Sequence, residues 1–138
     1  MSTAKVTYIG GLRTNNEHLK SGATYTTDAP VDNHGLGQAF SPTDTMATAL
    51  ANCMLTTMAV KCEPKGMILE GSWAEVTKVM SDAPRRIAQI IVVLHLSVSH
   101  DAQSRGLLER IAVQCPVGLS IHPEVQITTS FLYDVQAG

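Results

Sequence analysis

The sequence is poor in aromatic residues, in cysteine and in net charge. Its 138 residues include one Trp, two Phe, three Tyr and three Cys, with a formal net charge of −2. The ten Lys and Arg are scattered along the chain, so no basic stripe is available to follow a phosphate backbone, and we expect no nucleic-acid partner. Three cysteines are too few, and odd in number, for a disulfide scaffold. Any disulfide should therefore be transient and chemical.

The chain also lacks signals for secretion and for membrane insertion. Residues 1–6 do not show the charged and apolar regions and the cleavage site of a secretory signal. The longest apolar stretch, about 46–60, is shorter than the roughly 20 residues that span a bilayer. We expect a cytoplasmic protein with no membrane partner, built as one globular domain over residues 1–138.

Strand and helix signals alternate along the chain and predict an α+β fold. Short strand-like runs, separated by turns that include Asn15-Asn16, predict a meander of hairpins before residue 30. Ser41, Pro42 and Asp44 form the capping box of a helix that should run to about residue 63. This helix is long enough to cross a whole small domain.

The second half of the sequence predicts two strands, a shorter helix and a last strand. Their bounds are about 68–80, 87–99, 101–114 and 125–135. The links between them favour antiparallel pairing in the sheet. Because the long helix is apolar on nearly every side, we expect it to be a buried central helix whose core is shared in a homodimer.

Helix geometry limits how the three cysteines can pair. Cys53 and Cys62 lie nine residues apart on the long helix, which places their Cα atoms about 13 Å apart and their side chains on opposite faces. A disulfide requires Cα atoms within about 7 Å. Cys115, at the end of the second helix, is therefore the one possible intrachain partner of Cys53. Free cysteine is also commonly buried, so each thiol could instead be inert packing.

A reactive Cys53 would need help to ionise. The thiol lies in mid-helix, where the helix dipole contributes little, so a neighbouring cation should lower its pKa. Arg13, Arg85 and Arg86 are the candidates, although each could equally be a solvated surface charge, and Arg13 is our choice. Asp44 could orient such an arginine, but it lies on roughly the opposite helical face from Cys53. Its capping role is sufficient explanation unless it acts across a dimer interface.

Other chemistries have little support in the sequence. The five histidines occur without a Cys-x-x-Cys motif and without a His pair at i, i+4 spacing, so we expect no metal and no other cofactor. A Gly-x-Ser-x-Gly turn and a glycine-rich phosphate loop before a helix are also missing. Hydrolase and nucleotide-dependent reactions are therefore disfavoured.

Two motifs resemble those of the OsmC/Ohr family, the osmotically induced and organic hydroperoxide resistance proteins. The segment GQAFSPTDTMATALANC at 37–53 is similar to the cysteine-bearing helix of that family. The segments CPV at 115–117 and PEV at 123–125 resemble its second cysteine motif and its closing strand. The resemblance covers most of the chain.

The resemblance implies an intertwined α+β homodimer with two sites at the subunit interface, acting as a thiol-dependent peroxidase. Cys53 would attack an organic hydroperoxide or hydrogen peroxide, Cys115 would resolve the product as a disulfide, and a dithiol reductant would reset the pair. Arg13 and an acid at Asp44 would steady the thiolate, although some members carry that acid at the position of Thr43. The alternative is a ligand-binding or stress-associated dimer of the same fold whose cysteines are structural.

Overall fold

The computed structural model describes residues 1–136, and its elements follow the α+β order expected from the sequence. In chain order these elements are β1 (Ala4–Gly10), β2 (Arg13–His18), β3 (Thr24–Asp28), α1 (Pro42–Cys62), β4 (Trp73–Ser81), β5 (Arg86–Ser97), α2 (Ala102–Ala112), α3 (Pro116–Ser120) and β6 (Gln126–Val135). They form two compact units, Met1–Met46 and the residues from Ala47 onward. The single domain over residues 1–138 stays a prediction.

The first unit contains an antiparallel sheet in the order β1-β2-β3. The turn predicted at Asn15-Asn16 is wrong, because both residues lie inside β2 and pair with residues of both neighbouring strands. Pairing on two sides here overrides the turn preference of asparagine. The reversal lies instead after His18, whose carbonyl oxygen accepts from Gly22 N at 2.7 Å.

The predicted capping box of α1 is confirmed. Ser41 Oγ accepts a hydrogen bond from Asp44 N at 3.0 Å, and Asp44 Oδ2 accepts from Ser41 N at 3.0 Å. Each side chain thus satisfies a backbone amide that the first turn of a helix leaves free. At the other end, Pro64 follows Cys62 closely and Gly66 takes a positive φ of 83°, which stops the helix.

Within the single chain α1 is buried along one face, so the expectation of burial on nearly every side is wrong for one copy. The buried face consists of Ala47, Leu50, Ala51, Met54, Met58 and Cys62. Val60 on the same helix is 68% exposed. The homodimer that would cover this exposed side stays a prediction. None of the helices within residues 1–136 is long and apolar enough to cross a membrane.

The second unit contains a sheet in the order β4-β5-β6. β4 and β5 form the predicted antiparallel hairpin. The antiparallel pairing predicted for the last strand is wrong, because β6 runs parallel to β5. The connection between these two strands carries α2 and α3, and a crossover of that length can return the chain to the starting end of its neighbour.

One face of β5 forms the centre of the hydrophobic core, as its alternating pattern predicts. Ile90, Val92, Leu94 and Leu96 are all fully buried. From α2, Leu108 and Ala112 join the same core at 0% exposure. Burial of each of these Leu, Ile and Val side chains contributes about 1.5–3 kcal/mol to the stability of the fold, relative to leaving it exposed. The core therefore holds the sheet against the helices of the second unit.

A charged cluster around His95 joins all three strands of the second sheet. His95 Nδ1 lies 2.8 Å from Asp134 Oδ2 on β6, and Nε2 lies 3.0 Å from Glu75 Oε2 on β4. The imidazole stacks on Trp73, with ring centroids 3.8 Å apart. Hydrogen bonds to Glu75 and then Asp134 raise the pKa of His95 above its ordinary value. The imidazolium form is therefore favoured in the folded protein.

Trp73 fluorescence should report the titration of His95. Trp73 is the only tryptophan of the chain, and a stacked imidazolium quenches indole emission more strongly than a neutral imidazole. Emission should rise through a midpoint above about pH 6.5, the ordinary value for histidine. The stabilisation is fully present below about pH 6.5 and is lost as the pH rises through the raised pKa, because only the protonated ring binds both carboxylates.

A pH titration of emission, with thermal unfolding measured in parallel, checks this expectation. His95→Gln should remove the transition, whereas His18→Gln, which changes a histidine on an exposed hairpin, should leave it intact. A midpoint at or below pH 6.5 in the parent protein would contradict the proposed pairing.

Candidate functional site

Cys53 and Cys115 meet where α1 contacts the beginning of α3. Cys53 is half-buried on α1, whereas Cys115 is fully buried. The expectation that Cys115 ends the second helix is wrong, because α2 ends at Ala112 and Cys115 is the N-cap residue of α3. Pro116 starts α3, since its fixed φ suits the first helical position and its missing N–H needs no partner there.

Three hydrogen-bond donors surround the sulfur of Cys53. Thr57, one turn further along α1, places its Oγ1 3.7 Å from Cys53 Sγ. The Val117 backbone N–H and the Cys115 thiol also donate to this sulfur. All three cysteines are free thiols. The structure thus brings together the two cysteines that helix geometry selects as a possible pair.

The pKa values of the two thiols move in opposite directions. Burial opposes ionisation of Cys53, but the hydrogen bonds from Val117, Thr57 and Cys115 outweigh it and lower the pKa of Cys53. Burial raises the pKa of Cys115, and the hydrogen bond to Cys53 together with the charge of Cys53 raises it further. Cys53 is therefore the first of the pair to ionise, and Cys115 keeps its proton.

Neutral donors of the second unit lower this pKa, whereas the cation expected from the sequence stays a prediction. A backbone amide, a hydroxyl and a thiol each stabilise a thiolate by hydrogen bonding. Val117 was not predicted as a donor, because its amide reaches Cys53 only through the packing of α3 on α1. A part for Arg13 beside this thiol stays a prediction.

Gly118 permits the close packing of α3 on α1. A Cβ at this position would lie 3.3 Å from Cys115 Sγ and 3.5 Å from Leu50 Cδ1. The first of these distances is tighter than an ordinary van der Waals contact. A larger residue would therefore press on the Cys115 thiol, a packing constraint that the sequence motifs did not indicate.

Cys62 lies apart from this pair, as helix geometry predicts. Its side chain is fully buried in the hydrophobic core. Burial raises the pKa of Cys62 above its ordinary value. A thiol that is buried and reluctant to ionise is unreactive. Burial and the raised pKa therefore fit a role for Cys62 as an inert packing residue of the core.

The first unit holds Arg13 and Asp44, the other two residues that the family resemblance assigns to the site. Arg13 Nε lies 3.9 Å from Asp28 Oδ1, and Asp28 was not among the candidates. Asp44 forms the capping box with Ser41. Thr43 carries no carboxylate, and its Oγ1 lies 3.2 Å from Ser41 Oγ. The catalytic parts of Arg13 and Asp44 stay predictions. An acidic residue opposite Arg13 in a hairpin was the signal that could have indicated Asp28.

Arg86, another candidate cation, lies beside an acid on the surface of the second unit. Arg86 Nη2 lies 3.6 Å from Glu124 Oε2, and both side chains are largely exposed. Over residues 1–136, no group of three His, Cys, Asp or Glu side chains is arranged to hold a metal ion. In the described part of the second unit, the site therefore consists of the Cys53 and Cys115 thiols, the Thr57 hydroxyl and the Val117 amide.

Comparison with known proteins identifies the family. Residues 35–130 match the model of the OsmC-like protein family. The chain belongs to this family. A protein from Psychrobacter arcticus 273-4, provisionally named an osmotic stress induced and detoxification response protein, is 44% identical in sequence. Its structure covers 95% of this chain and 96% of its own, with a TM-score of 0.91.

More distant structures share the OsmC-like fold. The organic hydroperoxide resistance protein OsmC from Legionella pneumophila is 18% identical, with 96% of this chain and 98% of its own covered at a TM-score of 0.72. OhrB of Bacillus subtilis, an organic hydroperoxide resistance protein, is 19% identical, with 94% of this chain and 98% of its own covered at a TM-score of 0.67. No curated protein matches the chain in sequence. The two-sheet α+β architecture of this OsmC-like protein is thus the family fold.

Proposed function

We propose that this OsmC-like protein is a thiol-dependent peroxidase that reduces organic hydroperoxides through Cys53 and Cys115. The observation that carries the proposal is the contact between the two thiols, whose pKa values move in opposite directions. Titratable neighbours of this kind are typical of sites where one group attacks and the other supplies a proton. The names of the Legionella and Bacillus proteins, which refer to organic hydroperoxide resistance, support the same substrate class.

In the first step the Cys53 thiolate attacks one oxygen of the hydroperoxide. The S–O bond forms as the O–O bond breaks, the alcohol leaves after taking a proton, and Cys53 is oxidised to a sulfenic acid. Cys53 is only half-buried, whereas Cys115 is fully buried, so Cys53 is the more accessible of the two residues. Exposure and pKa therefore both assign the attack to Cys53.

In the second step Cys115 condenses with the sulfenic acid. The S–S bond forms, the S–O bond breaks, and the hydroxyl leaves as water with the proton of Cys115. The thiol already donates a hydrogen bond to Cys53 in the reduced protein, so a short movement suffices. An external dithiol then reduces the disulfide by exchange, which returns both thiols.

The finer assignments rest on the family resemblance. Arg13 is the proposed cation that steadies the thiolate, and Asp44 is the proposed acid. The proposed assembly is a cytoplasmic homodimer with two sites at the subunit interface. The exposed side of α1, which includes Val60 at 68% exposure, supports a partner that covers this helix.

One equivalent of cumene hydroperoxide should oxidise Cys53 and Cys115 to a single intrachain disulfide. Mass spectrometry should find the loss of two hydrogens, and peptide mapping should find the two cysteines linked while Cys62 stays free. In Cys115→Ser the reaction should stop at the sulfenic acid, which dimedone labels at Cys53. Excess dithiothreitol with the peroxide should then sustain turnover of the parent protein.

Two results would remove the proposal. A protein that consumes no hydroperoxide with dithiothreitol present is not a peroxidase. Linkage of Cys53 to Cys62, or oxidation of Cys115 before Cys53, would contradict the order of steps.

A further inference from the structure

Arg13 and Asp28 face each other across the hairpin of β2 and β3. The strand register pairs the two residues directly, and their side chains extend toward each other, with Arg13 Nε 3.9 Å from Asp28 Oδ1. Opposite charges at directly paired positions attract across antiparallel strands. The pair thus follows from the register of the first sheet.

The two facing atoms are buried and have no other hydrogen-bond partner. Asp28 is 0% exposed, and neither Arg13 Nε nor Asp28 Oδ1 forms a hydrogen bond among the described residues. An uncompensated buried carboxylate is costly, so a nearby cation is its natural partner. Closing the gap to the length of a charged hydrogen bond requires a movement of about 1 Å.

The backbone around Asp28 holds its carboxylate in a fixed position. Asp28 N donates to Phe40 O at 3.0 Å, and Asp28 Oδ2 accepts from Gln38 N at 2.9 Å. The neighbouring Ala29 N donates to Leu12 O at 3.1 Å, immediately before Arg13. The carboxylate is therefore bonded to the loop through Gln38 N, and the backbone that carries it is bonded to Phe40 and to the start of β2.

A fixed carboxylate at Nε would orient the whole guanidinium of Arg13. The group is planar and rigid, so the direction of its terminal amines follows from the position of Nε. The side chain of Arg13 remains 38% exposed, which leaves room for those amines to act elsewhere. By contrast, the Oδ2 atom of Asp44 bonds the helix cap, and Thr43 has no charge to offer.

We propose that Asp28 is the positioning residue that holds the guanidinium of Arg13 for the peroxide reaction. The proposal rests on the proposed function, in which Arg13 serves Cys53. A purely structural alternative is that Asp28 only organises the loop through Gln38. The two are separable, because Asn keeps an oxygen that accepts from Gln38 N and loses the charge that attracts Arg13.

A double-mutant cycle of Asp28→Asn and Arg13→Gln decides between them. In the parent background Asp28→Asn should lower kcat/KM for cumene hydroperoxide by about 10-fold or more, the usual effect of losing a supporting partner. In the Arg13→Gln background the same change should alter kcat/KM by less than about 2-fold, because the group being positioned is gone. Equal losses of kcat/KM in both backgrounds would mean that Asp28 only organises the loop, and would overturn the proposal.

The pH dependence of Cys53 alkylation by iodoacetamide gives a readout that does not require turnover. Loss of a well-placed cation raises the pKa of a thiol, whereas loss of a nearby carboxylate by itself lowers it. Asp28→Asn should therefore move the alkylation midpoint upward, toward that of Arg13→Gln. A downward shift would overturn the proposal. The matched control is Glu17→Gln, which removes an equal charge from β2 and should move neither readout.

The two readouts separate failure of this proposal from failure of the proposed function. A parent protein without peroxidase activity, but with the upward and non-additive alkylation shifts, would retain the positioning role and lose the reaction. If Asp28→Asn does not fold, Arg13→Lys tests the same geometry, since lysine keeps the positive charge and lacks the planar guanidinium group. Its kcat/KM should fall as far as that of Arg13→Gln, and a rate equal to the parent would overturn the proposal.

Discussion

Cys53→Ser should reduce hydroperoxide consumption in the presence of dithiothreitol by roughly 10³-fold or more, to the level of the uncatalysed reaction. Serine has nearly the shape of cysteine but does not ionise near neutral pH, so the nucleophile is removed while the packing is kept. The assay follows loss of cumene hydroperoxide under steady-state conditions. Rates equal to those of the parent protein would end the peroxidase interpretation.

The other two cysteines provide graded controls for this experiment. Cys62→Ser should stay within about 2-fold of the parent rate, since Cys62 is buried in the core and has no role in the proposed reaction; a small loss of stability is the expected side effect. Cys115→Ser should keep the first turnover, because the attacking thiolate is unchanged. Its steady-state rate should depend on whether the reductant reaches the sulfenic acid directly.

Gly35→Ala should destabilise the first unit by about 3 kcal/mol, at the upper end of the range for overpacking. A Cβ on Gly35 would lie 1.7 Å from Ala29 O and 2.2 Å from the carbonyl carbon of Ala29. These are backbone atoms, and Ala29 O already accepts from Gly37 N at 3.1 Å, so the loop cannot yield without losing its own hydrogen bonds. Urea unfolding followed by circular dichroism measures the change.

Gly106→Ala is the matched control. Its Cβ would meet Arg110 Nη1 at 3.3 Å, the mobile end of a long side chain that can move aside. Gly106 lies inside α2, where alanine gains up to about 1 kcal/mol in helix propensity. The control should therefore be neutral or stabilising. Equal losses of stability in the two variants would contradict the close approach at Gly35.

Local signals in the sequence predicted those parts of the fold that depend on neighbours in the chain. The reciprocal bonds of Ser41 and Asp44 confirm a cap that needs only four consecutive residues. Alternation along β5 likewise identified the buried face that includes Ile90 and Leu94, because period 2 is a property of any strand. The cap depends only on the local backbone, and the alternation depends only on which face of the strand is buried away from water.

Other features depend on contacts between distant segments, and the sequence did not determine them. Alternation in β6 is the same whether the strand runs parallel or antiparallel to β5, so the direction had to come from the crossover. Asn15 carries a turn preference that pairing on both sides outweighs. The role of Val117 as a donor depends on the packing of α3 on α1. The pairing of Asp28 with Arg13 depends on the register of β2 and β3.

The crossover that makes β6 parallel to β5 also carries two of the groups that lower the pKa of Cys53. Cys115 lies within this connection, at the start of α3, and the donor amide of Val117 comes with it. Contacts between residues so far apart in sequence form late, because the connecting loop must close first. Until this connection packs on α1, Cys53 should therefore lack the hydrogen bonds from Val117 and Cys115 that lower its pKa.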